Sequence, residues 1–279
     1  MHVTTPPKAL LLDMDGVLYH GEQVLPHALT FMRAVAEIPH LFLSNNPIRT
    51  PQAVADRLQR MGFQRPPPQH ILTSAIATAH CLGERKPGFR YFAVGAPGLD
   101  VELSRLGVAA TENVDFVVVG EGPGLDFDSL TLGINLVLKE GAALISTNPD
   151  ASVDAHVDGE HRVLPGGGAL VAPFEVATGK QAETIGKPQP LLYHMALKQL
   201  GCQPQDCVML GDRVDTDVVG AQALGIRTAL VRTGRFAPGD PWPPGQARAD
   251  WDVDGLSQLL ALWRRQWPQG FDVGTALRG

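Results

Sequence analysis

Apolar positions along this chain gather into short unbroken runs, with amphipathic stretches between them. Ala9-Leu10-Leu11-Leu12, Leu41-Phe42-Leu43, Cys207-Val208-Met209-Leu210 and the run 228–231 carry almost no polar position. Such runs fit strands of a parallel sheet buried on both faces, whereas strict alternation would mark a half-exposed sheet. Between the first two, Leu25, Leu29, Met32, Val35 and Ala36 recur at helical spacing, which predicts a helix over 25–38 and with it a βαβ unit. Thr50-Pro51 predicts another helix start, with a hydroxyl at the N-cap and proline at the first helical position. Val54, Leu58 and Met61 then continue one face as far as Gly62. The cluster Pro66-Pro67-Pro68 breaks the pattern.

A second series follows. Tyr91-Phe92-Ala93-Val94, Phe116-Val117-Val118-Val119 and Ala142-Ala143-Leu144-Ile145 predict strands with helical segments between them, a small α/β module over 74–182. The first pattern then resumes with a helix over 190–200 closed by Gly201, the strand at 207–210, a helix over 218–224 closed by Gly225, and the strand at 228–231. The stretch 236–245 is rich in proline and glycine and reads as a surface loop before a last helix over 256–267. The predicted class is α/β, with core segments 1–73 and 183–279 interrupted by the module 74–182.

Composition narrows the picture. A net charge of -6, with 44% apolar and 19% charged residues, describes an ordinary soluble domain, and no Lys/Arg cluster offers a nucleic-acid footprint. The one apolar run near the start is interrupted by Asp13 and Asp15, too short for a signal or membrane segment. Cys81, Cys202 and Cys207 cannot all pair within one chain, and no second His or Cys pair stands near the last two. Unpaired thiols in a reducing cytoplasm are expected.

The candidate chemistry lies in four segments: Asp13-Met14-Asp15-Gly16-Val17, Ser44-Asn45-Asn46, Gly186-Lys187-Pro188 and Gly211-Asp212-Arg213-Val214-Asp215-Thr216-Asp217. Paired carboxylates directly after a buried strand are costly to keep ionised unless a cation or donors share the site, and bound Mg²⁺ removes that cost. A solvated turn is the bland reading of Asp-x-Asp-Gly. An EF-hand reading fails, because the twelfth position from Asp13 is Val24 rather than Glu. Asp212 ends another strand, where open α/β sheets gather ligands, while Asp215 or Asp217 could simply cap the following helix. Ser44 and Asn45 could receive phosphate oxygens or form a plain turn. Lys187 is either a solvated lysine or the cation of the site. Arg213 is expected to serve its own loop. The run Pro165-Gly166-Gly167-Gly168-Ala169 lacks the Lys-Ser/Thr of a phosphate-binding loop and reads as a flexible entry to a helix over 169–177.

Taken jointly, the four segments resemble the haloacid dehalogenase (HAD) superfamily of phosphotransferases. Leu-Ser-Asn-Asn at 43–46, Ile185-Gly-Lys-Pro-Gln-Pro, Gly211-Asp-Arg-Val-Asp-Thr-Asp, Thr147-Asn-Pro-Asp and Pro165-Gly-Gly-Gly-Ala-Leu are similar to its NagD and p-nitrophenylphosphatase-like branch. The resemblance implies a Rossmann-like core with a parallel sheet and an inserted α/β cap of the C2 type. It implies a Mg²⁺-dependent hydrolase of small phosphate monoesters, with Asp13 as nucleophile and Asp15 as acid and base. It further implies Asp13, the backbone carbonyl of Asp15, Asp212 and, directly or through water, Asp217 around the metal, with Ser44, the Asn45 backbone and Lys187 on the phosphoryl oxygens. A small phosphorylated metabolite is the implied partner, and a homodimer through the cap is an expectation of the branch. A phosphomutase or phosphotransferase, and a silent phosphate-binding regulatory protein, are the alternatives. Pro47 and the segment Gly120-Glu-Gly-Pro-Gly-Leu-Asp depart from the branch pattern and bear on substrate choice.

Overall fold

The computed structural model describes residues 5–157, 160–268 and 271. The chain divides into two compact units, one of residues 1–43, 57–66 and 193–279 and the other of 44–56 and 67–192.

In the first unit, parallel strands neighbour one another in the order Trp251–Val253, Arg227–Val231, Cys207–Gly211, Ala9–Leu12, His40–Ser44. Every residue of Ala9–Leu12 is fully buried, as a strand covered on both faces requires, and each large aliphatic side chain so buried contributes about 1.5–3 kcal/mol. Leu12 lies in register with Leu210, so the residues after each strand leave the sheet at the same edge. The final helix, Leu256–Gln266, seats Trp263 against Phe31, Trp251 and Phe271.

The first helix is shorter than its periodicity predicts, spanning Ala28–Ala34. Residues 19–24 form an unforeseen hairpin of Tyr19–His20 with Gln23–Val24, closed by the Leu25 N–H on the Leu18 carbonyl. Pro26 follows, and His27 adopts a left-handed conformation that no helix interior accommodates. The helix after Cys207–Gly211 begins earlier than predicted: Val214–Val218 already forms a helical turn that runs into Val219–Gln222. Asp215 and Asp217 therefore lie within the first turn rather than before it.

The second unit has its own parallel sheet, ordered Glu183–Thr184, Ala143–Ser146, Phe116–Val119, Arg90–Val94, Val108–Ala109. Val117, Val119, Leu136, Val171 and Phe174 form part of its core. Helix Phe127–Asn135 starts at a reciprocal cap in which Asp126 accepts from the Ser129 N–H and Ser129 accepts from the Asp126 N–H. Helix Gly167–Thr178 takes its first residues from the triple glycine. A Cβ on Gly166 would sit 2.1 Å from the Asp150 carbonyl oxygen, so the run permits close approach to the 148–150 loop rather than flexibility. Cys81, Cys202 and Cys207 are unpaired thiols, half-buried or buried. Among the described residues no helix is long and apolar enough to cross a membrane.

Candidate active site

Asp13 follows the Ala9–Leu12 strand, and its N–H donates to the Leu210 carbonyl at 2.8 Å, so the sheet ladder fixes where its side chain begins. Asp212 leaves the neighbouring strand at the same edge, where α/β sheets bind ligands. Asp217 reaches the same place from the turn Val214–Val218. One carboxylate oxygen from each of Asp13, Asp212 and Asp217 lies within 4.8 Å of the others. Asp212 and Asp217 are only 4% and 1% exposed.

Donors from the backbone orient these groups. Asp212 Oδ2 accepts from the Arg235 N–H at 3.0 Å, and Asp217 Oδ2 from the Arg213 N–H at 3.1 Å. Gly16, at φ +77°, and Gly234 crowd Asp212 so closely that an added Cβ would stand 2.4 Å and 1.8 Å from its Oδ2. Three carboxylates this near, two of them buried, repel unless a cation shares their charge. An all-oxygen, anionic donor set suits a hard divalent ion such as Mg²⁺.

Asp15 stands outside that trio of carboxylates. Its half-exposed side chain brings Oδ1 to 3.5 Å from His20 Nδ1, and His20 Nε2 lies 2.6 Å from the Thr233 carbonyl oxygen. The bond to Asp15, with the Thr233 carbonyl adding to it and burial opposing, raises the His20 pKa above its ordinary value. Arg213 turns to Asp215, Nε to Oδ1 at 3.0 Å, and serves its own loop as expected.

Ser44, Asn45 and Lys187 belong to the second unit. Ser44 Oγ accepts from the Asn46 N–H at 3.1 Å, an ordinary turn bond. Lys187 is 2% exposed and so is no solvated surface lysine. The Asn45 carboxamide accepts from the Lys187 N–H at 2.7 Å and donates to the Lys187 carbonyl at 2.9 Å. Its Nδ2 also reaches Asp150 Oδ2 at 3.2 Å. The Asn45 carbonyl accepts from Ser74 Oγ at 2.5 Å and from Asn148 Nδ2 at 2.9 Å, and Asn148 Nδ2 also donates to Glu121 at 2.9 Å.

Sequence reasoning missed His20, Ser74, Asn148 and Asp150 as supporting residues. Thr147-Asn-Pro-Asp stood out only as a family likeness, and His20 gave no signal until the hairpin placed it opposite Asp15.

Residues 10–109 match the model of the haloacid dehalogenase-like hydrolases, and residues 184–259 a HAD-hydrolase-like model. An acid sugar phosphatase of Staphylococcus aureus is 36% identical over 231 residues, 81% of this chain and 87% of that protein. The chain belongs to the haloacid dehalogenase-like hydrolases. Among solved structures, a 4-nitrophenylphosphatase from Thermotoga maritima aligns with a TM-score of 0.82 at 29% identity, covering 91% of this chain and 96% of that one. NagD from E. coli K-12 aligns with a TM-score of 0.78 at 30% identity, covering 91% and 98%. This HAD enzyme is a phosphatase of the NagD and p-nitrophenylphosphatase-like branch, with the α/β fold of that branch.

Proposed function

We propose that this HAD phosphatase hydrolyses small phosphate monoesters, sugar phosphates foremost, through an aspartyl-phosphate on Asp13. The observation that carries the reading is the meeting of the Asp13, Asp212 and Asp217 carboxylates, with Asp15 two residues from the first. The named activities of the S. aureus and T. maritima relatives support the substrate class.

In the first step an Asp13 carboxylate oxygen attacks phosphorus, the Asp13 O–P bond forms, and the ester P–O bond breaks. Asp15 gives its proton to the departing alkoxide. In the second step water attacks the phosphorus of the acyl phosphate, Asp15 takes the water's proton, and inorganic phosphate leaves with Asp13 restored. Splitting one displacement into two in this way is nucleophilic catalysis with a positioned acid and base. Asp13, the Asp15 carbonyl, Asp212 and Asp217 would hold Mg²⁺, which supplies positive charge against the anionic phosphoryl group. Ser44, the Asn45 backbone and Lys187 would neutralise the equatorial oxygens, where a loose phosphoryl transition state carries its charge.

Phosphate release from p-nitrophenyl phosphate and a panel of sugar phosphates, with Mg²⁺ or with EDTA, tests the proposal. Turnover that needs Mg²⁺ and disappears in Asp13→Asn is expected. Full activity in EDTA, or in folded Asp13→Asn, would overturn it.

A further inference from the structure

The hairpin of residues 19–24 has no part in the chemistry above, yet it is tied down at both ends beside Asp15. Arg57, from helix Pro51–Arg60, is only 7% exposed and lays its guanidinium over the Tyr19 ring, 4.3 Å from the centroid. The same guanidinium donates to the Gly21 carbonyl and to Glu22 Oε1. A cation stacked on an aromatic ring and hydrogen-bonded to the adjoining turn holds a hairpin more firmly than two-residue strands can alone.

At its other end the hairpin is tied to the Asp15 loop. The Gly16 N–H donates to the Tyr19 carbonyl at 2.9 Å, and Thr233 Oγ1 donates to the Gly16 carbonyl at 2.6 Å. His20 completes this ring of bonds. Because a carbonyl only accepts, the 2.6 Å contact with Thr233 puts a hydrogen on His20 Nε2 and fixes the imidazole plane. That plane presents Nδ1 to Asp15 Oδ1 at 3.5 Å, a separation that catalytic contacts commonly shorten once substrate binds.

We infer that His20 is a positioning residue: tethered by Thr233 and by the Arg57-anchored hairpin, it fixes the rotation of the Asp15 carboxyl so that its free oxygen faces the ester leaving group. The inference rests on Asp15 being the acid of the proposed reaction. A half-exposed carboxyl on a loop would otherwise sample several rotations, and proton transfer demands one. His20 touches no reacting atom, and its effect passes through Asp15.

Leaving-group dependence reads this role. A poor alkoxide leaving group needs its proton as the P–O bond breaks, whereas p-nitrophenolate departs readily without one, so a misaimed acid penalises alkyl esters selectively. The measurement is kcat/KM, which reports the steps up to formation of the acyl phosphate, for glycerol 2-phosphate and for p-nitrophenyl phosphate. Wild type would be compared with His20→Ala, with His20→Phe, which keeps the ring volume and hence the hairpin packing, and with His20→Asn, whose amide occupies the place of Nδ1.

His20→Ala and His20→Phe are expected to lose at least about tenfold more on the alkyl ester than on the aryl ester, a fraction of what a full general acid contributes. His20→Asn is expected to recover part of that selective loss. Equal losses on both esters in the folded variants would overturn the inference, as would a selective loss that His20→Asn does not relieve at all. Asp15→Asn, run alongside, keeps the two readings apart. If Asp15→Asn itself shows no alkyl-selective loss, it is the acid role of Asp15 in the proposed function that fails.

Discussion

Asn45 grips Lys187 by its backbone, accepting from its N–H at 2.7 Å and donating to its carbonyl at 2.9 Å across 142 positions of sequence. The family resemblance implies a phosphoryl role for the Asn45 backbone, while its side chain acts as a clamp on the segment carrying the buried Lys187. Asp150 restrains the clamp through Nδ2, and Ser74 and Asn148 hold its carbonyl.

Asn45→Ala removes both bonds at once and takes the side-chain partner away from two backbone groups of a buried residue. A loss of about 10- to 100-fold in kcat/KM for p-nitrophenyl phosphate is expected, equivalent to about 1.4–2.8 kcal/mol. Initial rates decide it, and a value within about twofold of wild type would show that Lys187 holds its place without the clamp.

The carboxylates of Asp13, Asp212 and Asp217 repel one another in the metal-free protein. Asp217→Asn removes one of the three charges while keeping an amide oxygen for the Arg213 N–H. The metal-free variant is expected to melt above wild type, and the stabilisation gained on adding Mg²⁺ to shrink, since that gain grows with the ratio of free ion to dissociation constant. Thermal melts with Mg²⁺ and with EDTA measure both. An undiminished Mg²⁺ shift would remove Asp217 from the metal site.

Arg85, at the end of helix Ser74–Arg85, grips Glu183 of the edge strand through both guanidinium ends, one at 2.6 Å. The bond to Arg85, with burial opposing, holds the Glu183 carboxyl below the usual range. A carboxylate with a depressed folded pKa contributes stability above its unfolded pKa, and that contribution is lost as pH falls through the folded value. Glu183→Gln is expected to cost about 0.2–1 kcal/mol at pH 7, as for other exposed pairs, and less at an acid pH below the ordinary glutamate range. Urea midpoints at the two pH values test this, and an equal cost at both would mean the charge is irrelevant.

The sequence carried the elements wherever the signal was local. The run Ala9-Leu10-Leu11-Leu12 announces a fully buried strand and becomes one, and the helix predicted over 190–200 appears as Pro190–Leu200 with Gly201 beyond its end at φ +63°. The 25–38 helix failed at its start because the hairpin ahead of it is closed by a bond between Leu18 and Leu25, and periodicity within a window cannot register such a pairing. The triple glycine was legible as a helix entry, but its purpose was not, since the crowding partner is the Asp150 carbonyl, outside the run itself.

By itself, the sequence determined which long apolar runs become buried strands, that Asp13 and Asp212 each follow one, and that a second series of α/β elements lies between them. These follow from side-chain periods and terminal residues within a few positions of each other. Residue patterning left Asp215 and Asp217 alike and only the family resemblance singled out Asp217; the tertiary structure brings its carboxylate to those of Asp13 and Asp212 while Asp215 pairs with Arg213 and Asp15 faces His20. It alone gave His20 its anchor on Thr233, 213 positions away. Those choices are set by strand neighbours and register, which bring distant residues to one sheet edge, and no local preference of the chain specifies which of several similar carboxylates will meet there.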